Sequence, residues 1–303
     1  ISVSMKPALR VNALLMAATA VAVVVCVVVV TAAGIAVASA AGIAVASAVV
    51  GAAAVVATET VIAAEIAGVT TQRRRVVQVV GTRPEAIKKA PIHRVLTRSD
   101  RLEPVLLSAG QHRELLADAL SSLELTADHD LALMQPDQSP NDVCRRIFET
   151  MPEMLEQLAP AAVVVQGDTT TAFATGLVAH HLKIPLAHVE AGFRTYDLES
   201  PFPEEANRQL VDRIADWCFA STREAADNLR AERIEESRIH CVGSTAVDSV
   251  LWALERIPRE PLRASVLLTL HRRESFGSHL EEILLGESDY LHRRTEATVL
   301  WPD

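Results

Sequence analysis

The sequence is poor in cysteine and in aromatic residues. Its four cysteines, Cys26, Cys144, Cys218 and Cys241, are widely separated and form no Cys-x-x-Cys pair. Metal sites and small disulfide scaffolds both use closely spaced cysteines, so we expect no metal, no disulfide and a reducing compartment.

Positive charge is also scarce. The 303 residues carry a formal net charge of -9, and the one arginine cluster, Arg73 to Arg75, is short and has no aromatic residues around it. A nucleic-acid-binding protein needs a basic surface, commonly with aromatic side chains for stacking. The composition therefore argues against nucleic acid and favours a small-molecule partner.

Charged residues are absent from positions 11 to 58, where alanine and valine dominate. This tract is longer than the roughly 20 apolar residues that cross a bilayer. Lys6 and Arg10 before it, and Arg73 to Arg75 after it, fit a membrane hairpin with both ends cytoplasmic. Ala38-Ser39-Ala40 also fits the small-residue cleavage site of a signal peptide.

A third interpretation of this tract rests on a repeat. The octapeptide AGIAVASA occurs twice in succession, at positions 33 to 40 and 41 to 48. Such repetition is typical of low-complexity sequence or of a start codon placed too far upstream. We therefore expect residues 1–72 to be an extension and the folded domain to begin near Arg73, with membrane contact through residues 11–58 left open.

Beyond Arg73, short apolar runs alternate with longer helical patterns, which predicts an α/β fold with a doubly wound, Rossmann-like parallel sheet. The runs are continuous rather than alternating, as expected for strands covered on both faces. Ligands of such sheets bind at the carboxyl ends of the strands. The predicted strands are residues 75–80, 104–107, 162–165, 186–189, 217–220, 239–242 and 265–270, and the predicted helices include residues 84–96, 142–158, 170–182 and 204–214.

The first predicted strand ends in a turn suited to anions. Thr82 and Glu85 have capping-box spacing, and Pro84 fits the first helical turn. Arg83 and Lys88 then lie at or just inside a helix N-terminus, which is already electropositive. The turn is a candidate diphosphate site, and a solvent-facing Arg/Lys pair is the alternative.

Carboxylates follow the next strand ends. Asp168 and Glu190 are expected at the same edge of the sheet, and Glu204 follows a proline-bounded loop nearby. Each has a simpler explanation: Asp168 as a helix-start residue, Glu190 as the partner of Arg194, and Glu204 as the partner of Arg208 on one helix face. Several acids at one edge favour a site, which we expect to be a single pocket.

Together these segments resemble the non-hydrolysing UDP-N-acetylglucosamine 2-epimerases. They occur in the family's order and at similar spacing, from about residue 75 to residue 283. The matching stretches are GTRPEAIK at Gly81, AGQHRELL at Ala109, GDTTT at Gly167, HVEAGFRT at His188, SPFPEEANRQL at Ser200 and HRRESFG at His271.

The resemblance implies a glycosyltransferase-B-like fold of two Rossmann-like domains, and a cytoplasmic, homodimeric isomerase. Such an enzyme interconverts UDP-N-acetylglucosamine (UDP-GlcNAc) and UDP-N-acetylmannosamine (UDP-ManNAc), the latter a precursor of cell-surface polysaccharide. It needs no cofactor, because UDP is eliminated to give 2-acetamidoglucal and then added back. The implied residues are Asp168, Glu190 and Glu204 for catalysis, Arg83, Lys88, His271 and Arg208 for substrate binding, and Gln111, His112 and Arg113 for a regulatory site.

The resemblance ends near residue 283. We expect residues 73–258 to form the N-terminal Rossmann-like domain and residues 259–303 to be the start of a second domain that is cut short. Two alternatives stay open: a non-catalytic remnant of this family, and another nucleotide-sugar enzyme of the same fold, such as a glycosyltransferase.

Overall fold

The computed structural model describes residues 26–31, 34–39, 53–66, 72–110, 113–133, 135, 138–256 and 266–267. The chain divides into two compact units. One consists of Ile1–Val49 with Arg259–Asp303, and the other is Val50–Pro258.

The first unit contains a small antiparallel sheet. Strands β1 (Cys26–Thr31) and β2 (Gly34–Ser39) pair along their whole length, and Val266–Leu267 pairs with β1 on its other side. Val266–Leu267 is the only described part of the strand predicted at residues 265–270. Among the residues that the structure describes, no helix is long and apolar enough to cross a membrane.

The second unit alternates helices and strands, as predicted. A 3-10 turn, Glu236–Arg238, precedes its last strand. The elements are α1 (Ala53–Ile66), β3 (Arg74–Val80), α2 (Arg83–Arg98), β4 (Leu102–Ser108), α3 (Arg113–Ser122), β5 (His129–Asp130), α4 (Pro140–Leu158), β6 (Ala162–Gln166), α5 (Thr170–His181), β7 (Leu186–Ala191), α6 (Glu204–Ile214), β8 (Trp217–Ala220), α7 (Arg223–Ala231), β9 (Ile239–Cys241) and α8 (Thr245–Leu254).

The seven strands β3 to β9 form one parallel sheet in the order β5-β4-β3-β6-β7-β8-β9. From β3 the chain first builds outward through β4 and β5, and then returns to add β6 on the other side. The strand order therefore reverses between β3 and β6, and ligands of doubly wound sheets bind at that reversal. The predicted Rossmann-like sheet is confirmed.

Apolar residues cover both faces of this sheet. Val77 and Val79 belong to a core cluster with Ile147 on α4 and Val178 on α5. Val76 points to the opposite face, where it belongs to a cluster with Ile92 on α2. Burial on both faces explains why the strands are continuous apolar runs.

Helix α1 is part of this unit, although it lies upstream of the boundary expected at residue 73. Ile62 and Ile66 are buried in the same cluster as Ile92 and Leu96 of α2. The hydroxyl of Ser99 also donates to Glu59 of α1, at 2.8 Å. The compact unit accordingly begins near Val50 rather than at residue 73.

We predict that Ile62→Ala lowers the free energy of unfolding by about 3 kcal/mol, because it removes a buried side chain and leaves a cavity. Val56→Ala is the matched control, since Val56 lies on the same helix but is 49% exposed. Urea unfolding of both variants measures the difference. Equal, small effects of the two substitutions would mean that α1 does not pack on the domain in solution.

Candidate active site

A cavity of about 410 Å³ lies at the carboxyl ends of β3, β6 and β7, where the strand order reverses. Its walls come from the turn after β3, the first turns of α2, and the ends of β6 and β7. The lining residues are Thr82, Arg83, Pro84, Glu85, Lys88, Gln166, Gly167, Asp168, Thr169 and Glu190.

The turn after β3 is held by a carboxylate. Thr82 caps α2 and forms the predicted capping box with Glu85. Glu85 Oε2 accepts the backbone N–H groups of Gly81, at 2.6 Å, and Thr82, at 2.8 Å, while Oε1 accepts the Thr169 hydroxyl at 2.6 Å. A Cβ at Gly81 would lie 2.7 Å from Thr171 Oγ1, so the turn needs glycine. Glu85 thus joins two walls of the cavity.

Glu190 is held between a cation and an amide. Lys88 Nζ lies 2.8 Å from Glu190 Oε1 and 2.6 Å from Oε2, and Gln166 Nε2 donates to Oε2 at 2.8 Å. The backbone at Glu190 has φ of +70°, and the register of β7 shifts between Val189 and Ala191. A left-handed, non-glycine residue in a bulge is strained, and such bulges redirect side chains next to active sites. Here the bulge turns Glu190 towards the cavity.

Asp168 follows β6, the strand next to β7, and pairs with α6. Arg208 Nη2 bonds its carboxylate, and Asn207 Nδ2 donates to its backbone oxygen at 2.9 Å. Burial raises the pKa of Asp168 and outweighs the opposing effect of Arg208, and the charges of Glu190 and Glu204 raise it further. A carboxyl with a raised pKa at this place suits proton transfer.

Glu204 is the first residue of α6. It follows a loop with two cis peptide bonds, Ser200-Pro201 and Phe202-Pro203. The next residue, Glu205, is buried and accepts the backbone N–H groups of Thr195 and Tyr196 at 3.0 and 3.1 Å. The two adjacent acids therefore differ: Glu205 fixes the loop, and Glu204 remains partly exposed with its charge acting on Asp168.

A buried lysine lies beneath the cavity. Lys89 is 1% exposed, and its amine donates to the backbone oxygens of Val79 and Val164 on two neighbouring strands. Burial lowers its pKa to about 8, although the nearby charge of Glu85 acts in the opposite direction. Lys88 and Lys89 are adjacent in sequence, yet Lys88 lines the cavity and Lys89 is buried in the core.

The structure brings together most of the residues singled out from the sequence. Arg83, Lys88, Asp168 and Glu190 line the cavity, Arg208 bonds Asp168, and Glu204 lies at the margin. Gln111, His112 and His271 lie outside the described residues, and Arg113 begins α3 but its side chain is not described.

Two simpler explanations from the sequence fail. Arg194 bonds Asp212 and Glu232 rather than Glu190. Arg208 bonds Asp168, with a second contact of 3.6 Å to Glu205, rather than pairing with Glu204.

Several residues that line the cavity or hold its walls in place were not predicted from the sequence. Gln166 and Thr169 line it, and His188 and Asp212 are hydrogen-bonded to each other behind it. Gln166 could have been recognised from the sequence, because it is the polar last residue of an otherwise apolar strand. Asp212 carried none, because an acid inside an amphipathic helix is ordinarily solvent-exposed.

A doubly wound sheet with a cation-lined cavity at its reversal point is the architecture of nucleotide-binding α/β proteins. The family model for UDP-N-acetylglucosamine 2-epimerase matches residues 94–302 of the chain. The chain therefore belongs to the UDP-N-acetylglucosamine 2-epimerase family.

Individual relatives agree with this assignment. The chain is 39% identical over 243 residues to the UDP-N-acetylglucosamine 2-epimerase of Yersinia pestis, covering 75% of this chain and 65% of the relative. The Neisseria meningitidis enzyme, solved with UDP-GlcNAc bound, is 42% identical with a TM-score of 0.58, over 60% of this chain and 50% of that one. A putative 2-epimerase from Listeria monocytogenes is 34% identical with a TM-score of 0.71, over 77% and 63% of the two chains. The chain thus spans about 65% of the length of the curated relative.

We predict that Arg208→Met raises the pKa of Asp168 further, because it removes the cation that opposes the effect of burial. Carboxyl ¹³C NMR of aspartate-labelled protein measures this, with the Asp168 signal assigned by its loss in Asp168→Asn. Arg213→Met, an exposed position on the same helix, serves as control. A lower pKa in Arg208→Met would show that this ion pair does not govern Asp168.

Proposed function

We propose that this protein interconverts UDP-GlcNAc and UDP-ManNAc. Membership of the 2-epimerase family supports the reaction, and the bound UDP-GlcNAc of the Neisseria meningitidis relative supports the substrate. The chain covers 65% of the curated relative, so activity and substrate are proposals for this chain.

The observation that carries the proposal is the pairing of two differently held carboxyl groups in one cavity. Glu190 lies between an ammonium and an amide, whereas burial raises the pKa of Asp168. Carboxyl groups in contrasting environments are the usual means of dividing base and acid roles. We assign Glu190 as the base and Asp168 as the proton donor.

The reaction inverts a carbon whose hydrogen is barely acidic. Glu190 takes the C2 proton as the bond from C1 to the UDP oxygen breaks, which leaves a C1=C2 double bond in 2-acetamidoglucal and free UDP. A proton from Asp168 then returns to C2 from the opposite face as the UDP oxygen rejoins C1. Glu204 stabilises the positive charge that develops at C1.

Arg83 and Lys88 are assigned to the departing diphosphate. Both belong to the first turns of α2, whose N-terminus favours anions. Lys88 also contacts Glu190, at 2.6 Å, so the same cation holds the base and faces the leaving group. Arg208 orients Asp168, and His271 is assigned to the diphosphate by family resemblance.

Further assignments rest on the family alone. We propose a cytoplasmic homodimer that supplies UDP-ManNAc for polysaccharide synthesis and uses no cofactor. The stretch Gln111-His112-Arg113 is proposed to hold a second, regulatory UDP-GlcNAc.

We predict that the 303-residue protein, incubated with UDP-GlcNAc alone, produces UDP-ManNAc. Anion-exchange chromatography and NMR of the products measure this. Free N-acetylmannosamine would instead indicate a hydrolysing enzyme. Turnover only when an acceptor is added would favour a glycosyltransferase, and no product under either condition would favour a non-catalytic remnant. Glu190→Gln is expected to lower turnover by about 10²-fold or more while UDP still binds, since it removes a proton-transfer group and keeps the shape.

The control for Glu190→Gln is Glu153→Gln, an exposed position on α4 that is far from the strand ends in sequence. The control should turn over like the parent. Near-normal turnover of Glu190→Gln would remove Glu190 from the reaction.

A further inference from the structure

A fully buried histidine lies behind the cavity with both ring nitrogens engaged. His188 Nδ1 lies 2.5 Å from Asp212 Oδ1, and Nε2 lies 2.7 Å from the backbone oxygen of Gly167. His188 and Asp212 are both 0% exposed. Neither group touches the cavity, so neither has a role in the proposed reaction as described above.

Both partners of the ring are hydrogen-bond acceptors. A backbone oxygen only accepts, so Nε2 must carry a hydrogen. Asp212 Oδ2 already accepts from Arg194 Nη2 at 2.7 Å and from the backbone N–H of Gly192 at 3.1 Å. The His188 ring therefore bridges the Gly167 oxygen and the Asp212 carboxylate through its two nitrogens.

The groups around His188 and Asp212 compensate the buried carboxylate. Arg194 Nη2 donates to Asp212 Oδ2 at 2.7 Å, and Arg194 Nε donates to Glu232 at 2.6 Å. The Cys218 thiol contacts the backbone oxygen of Asp212, and burial raises its pKa to about 12, so it stays neutral. Asp212 therefore has the buried guanidinium of Arg194 beside it, which avoids an unpaired buried charge.

The His188–Asp212 pair joins the three elements that carry the three carboxylates. Gly167, whose oxygen His188 binds, directly precedes Asp168. His188 is two residues before Glu190 on β7, and Asp212 is two helical turns after Glu204 on α6.

Asp212 also fixes the start of the loop that leads to Glu204. Its Oδ2 accepts the backbone N–H of Gly192 at 3.1 Å. Gly192 has φ of +85°, and a Cβ there would lie 2.1 Å from the Ala225 oxygen, so the chain passes close to α7 at this point. Asp212 thus fixes the loop at Gly192 and α6 against β7.

We propose that the buried, hydrogen-bonded His188–Asp212 pair is a positioning device that sets the distances between Asp168, Glu190 and Glu204. This inference rests on the proposed function, since it gives the three carboxylates a common task. His188 and Asp212 are positioning residues: they act on the strand end, the bulge and the helix that carry the reacting groups. A displacement of about 1 Å of such groups is enough to cost about 10²-fold in rate.

The first test is a spectrum of the intact protein. In ¹⁵N-histidine-labelled protein, His188, assigned by its loss in His188→Gln, should give a ring Nε2–H signal that exchanges slowly with water, because this hydrogen is buried against the Gly167 oxygen. A His188 whose Nε2 carries no hydrogen, or whose ring hydrogen exchanges as fast as that of an exposed histidine, would overturn the proposal. This measurement does not depend on activity.

The second test separates positioning from stability. In Asp212→Asn and His188→Gln, the Asp168 pKa should fall towards its ordinary value, as the turn loosens and admits water. In kinetic assays with UDP-GlcNAc, kcat should fall at least about tenfold with KM within about twofold. The double variant should be no worse than the single ones, because each removes the same hydrogen-bonded pair.

Matched controls are Asp227→Asn and His181→Gln, at exposed positions on α7 and α5, which should change none of these values. Folded Asp212→Asn protein with an unchanged Asp168 pKa and unchanged kcat would refute the positioning role. If the wild-type chain does not turn over, the proposed function fails by itself, and the histidine spectrum and the Asp168 pKa still decide the inference.

Discussion

Withdrawing a carboxylate from water at the end of a parallel strand costs free energy unless a cation or a hydrogen-bond donor stays beside it. The carboxyl edge of this sheet meets that requirement repeatedly. Glu190 has Lys88 and Gln166, Asp168 has Arg208, Glu85 has two backbone N–H groups, and Asp212 has His188 and Arg194. The walls of the cavity are joined to one another largely through these pairs.

The same requirement explains why charged residues that are adjacent in sequence have different roles. Lys88 lines the cavity and Glu204 lies partly exposed at its margin, whereas their neighbours Lys89 and Glu205 are buried. Helix α6 combines both functions, because Arg208 contacts Asp168 while Asp212, one turn on, contacts β7. Position on the helix face thus decides which charges are available for chemistry.

Six of the seven strands of the sheet were predictable from the sequence because they are continuous apolar runs, whereas β5, the two exposed residues His129 and Asp130, was not predicted. The sequence also predicted which edge of the sheet carries the site, because residues that follow parallel strands meet at the same edge. The partner of each charge was not predictable: Arg194 is four residues from Glu190, but the bulge turns Glu190 to Lys88, which is 102 residues away. A pattern of charged residues gives their spacing along the chain, but it does not show in which direction each side chain points.

The apolar tract before the sheet was harder still. A run of alanine and valine is compatible with a helix, a strand or a membrane span, because it has no charged residues and too few polar ones to set a period. The described part contains strands β1 and β2 and then helix α1, whose Ile62 and Ile66 pack on the domain. Only the three-dimensional contacts of α1 show that the compact unit begins before Arg73.

The central claim is that the carboxylates at this edge remove and return the proton at C2 of the sugar. Incubation of the protein with UDP-GlcNAc in D₂O tests it most directly, with NMR and mass spectrometry of the recovered nucleotide-sugars. The account predicts that UDP-ManNAc forms with one deuterium, located at C2, and that deuterium also enters C2 of the remaining UDP-GlcNAc. Formation of UDP-ManNAc that retains the original hydrogen at C2 would contradict it.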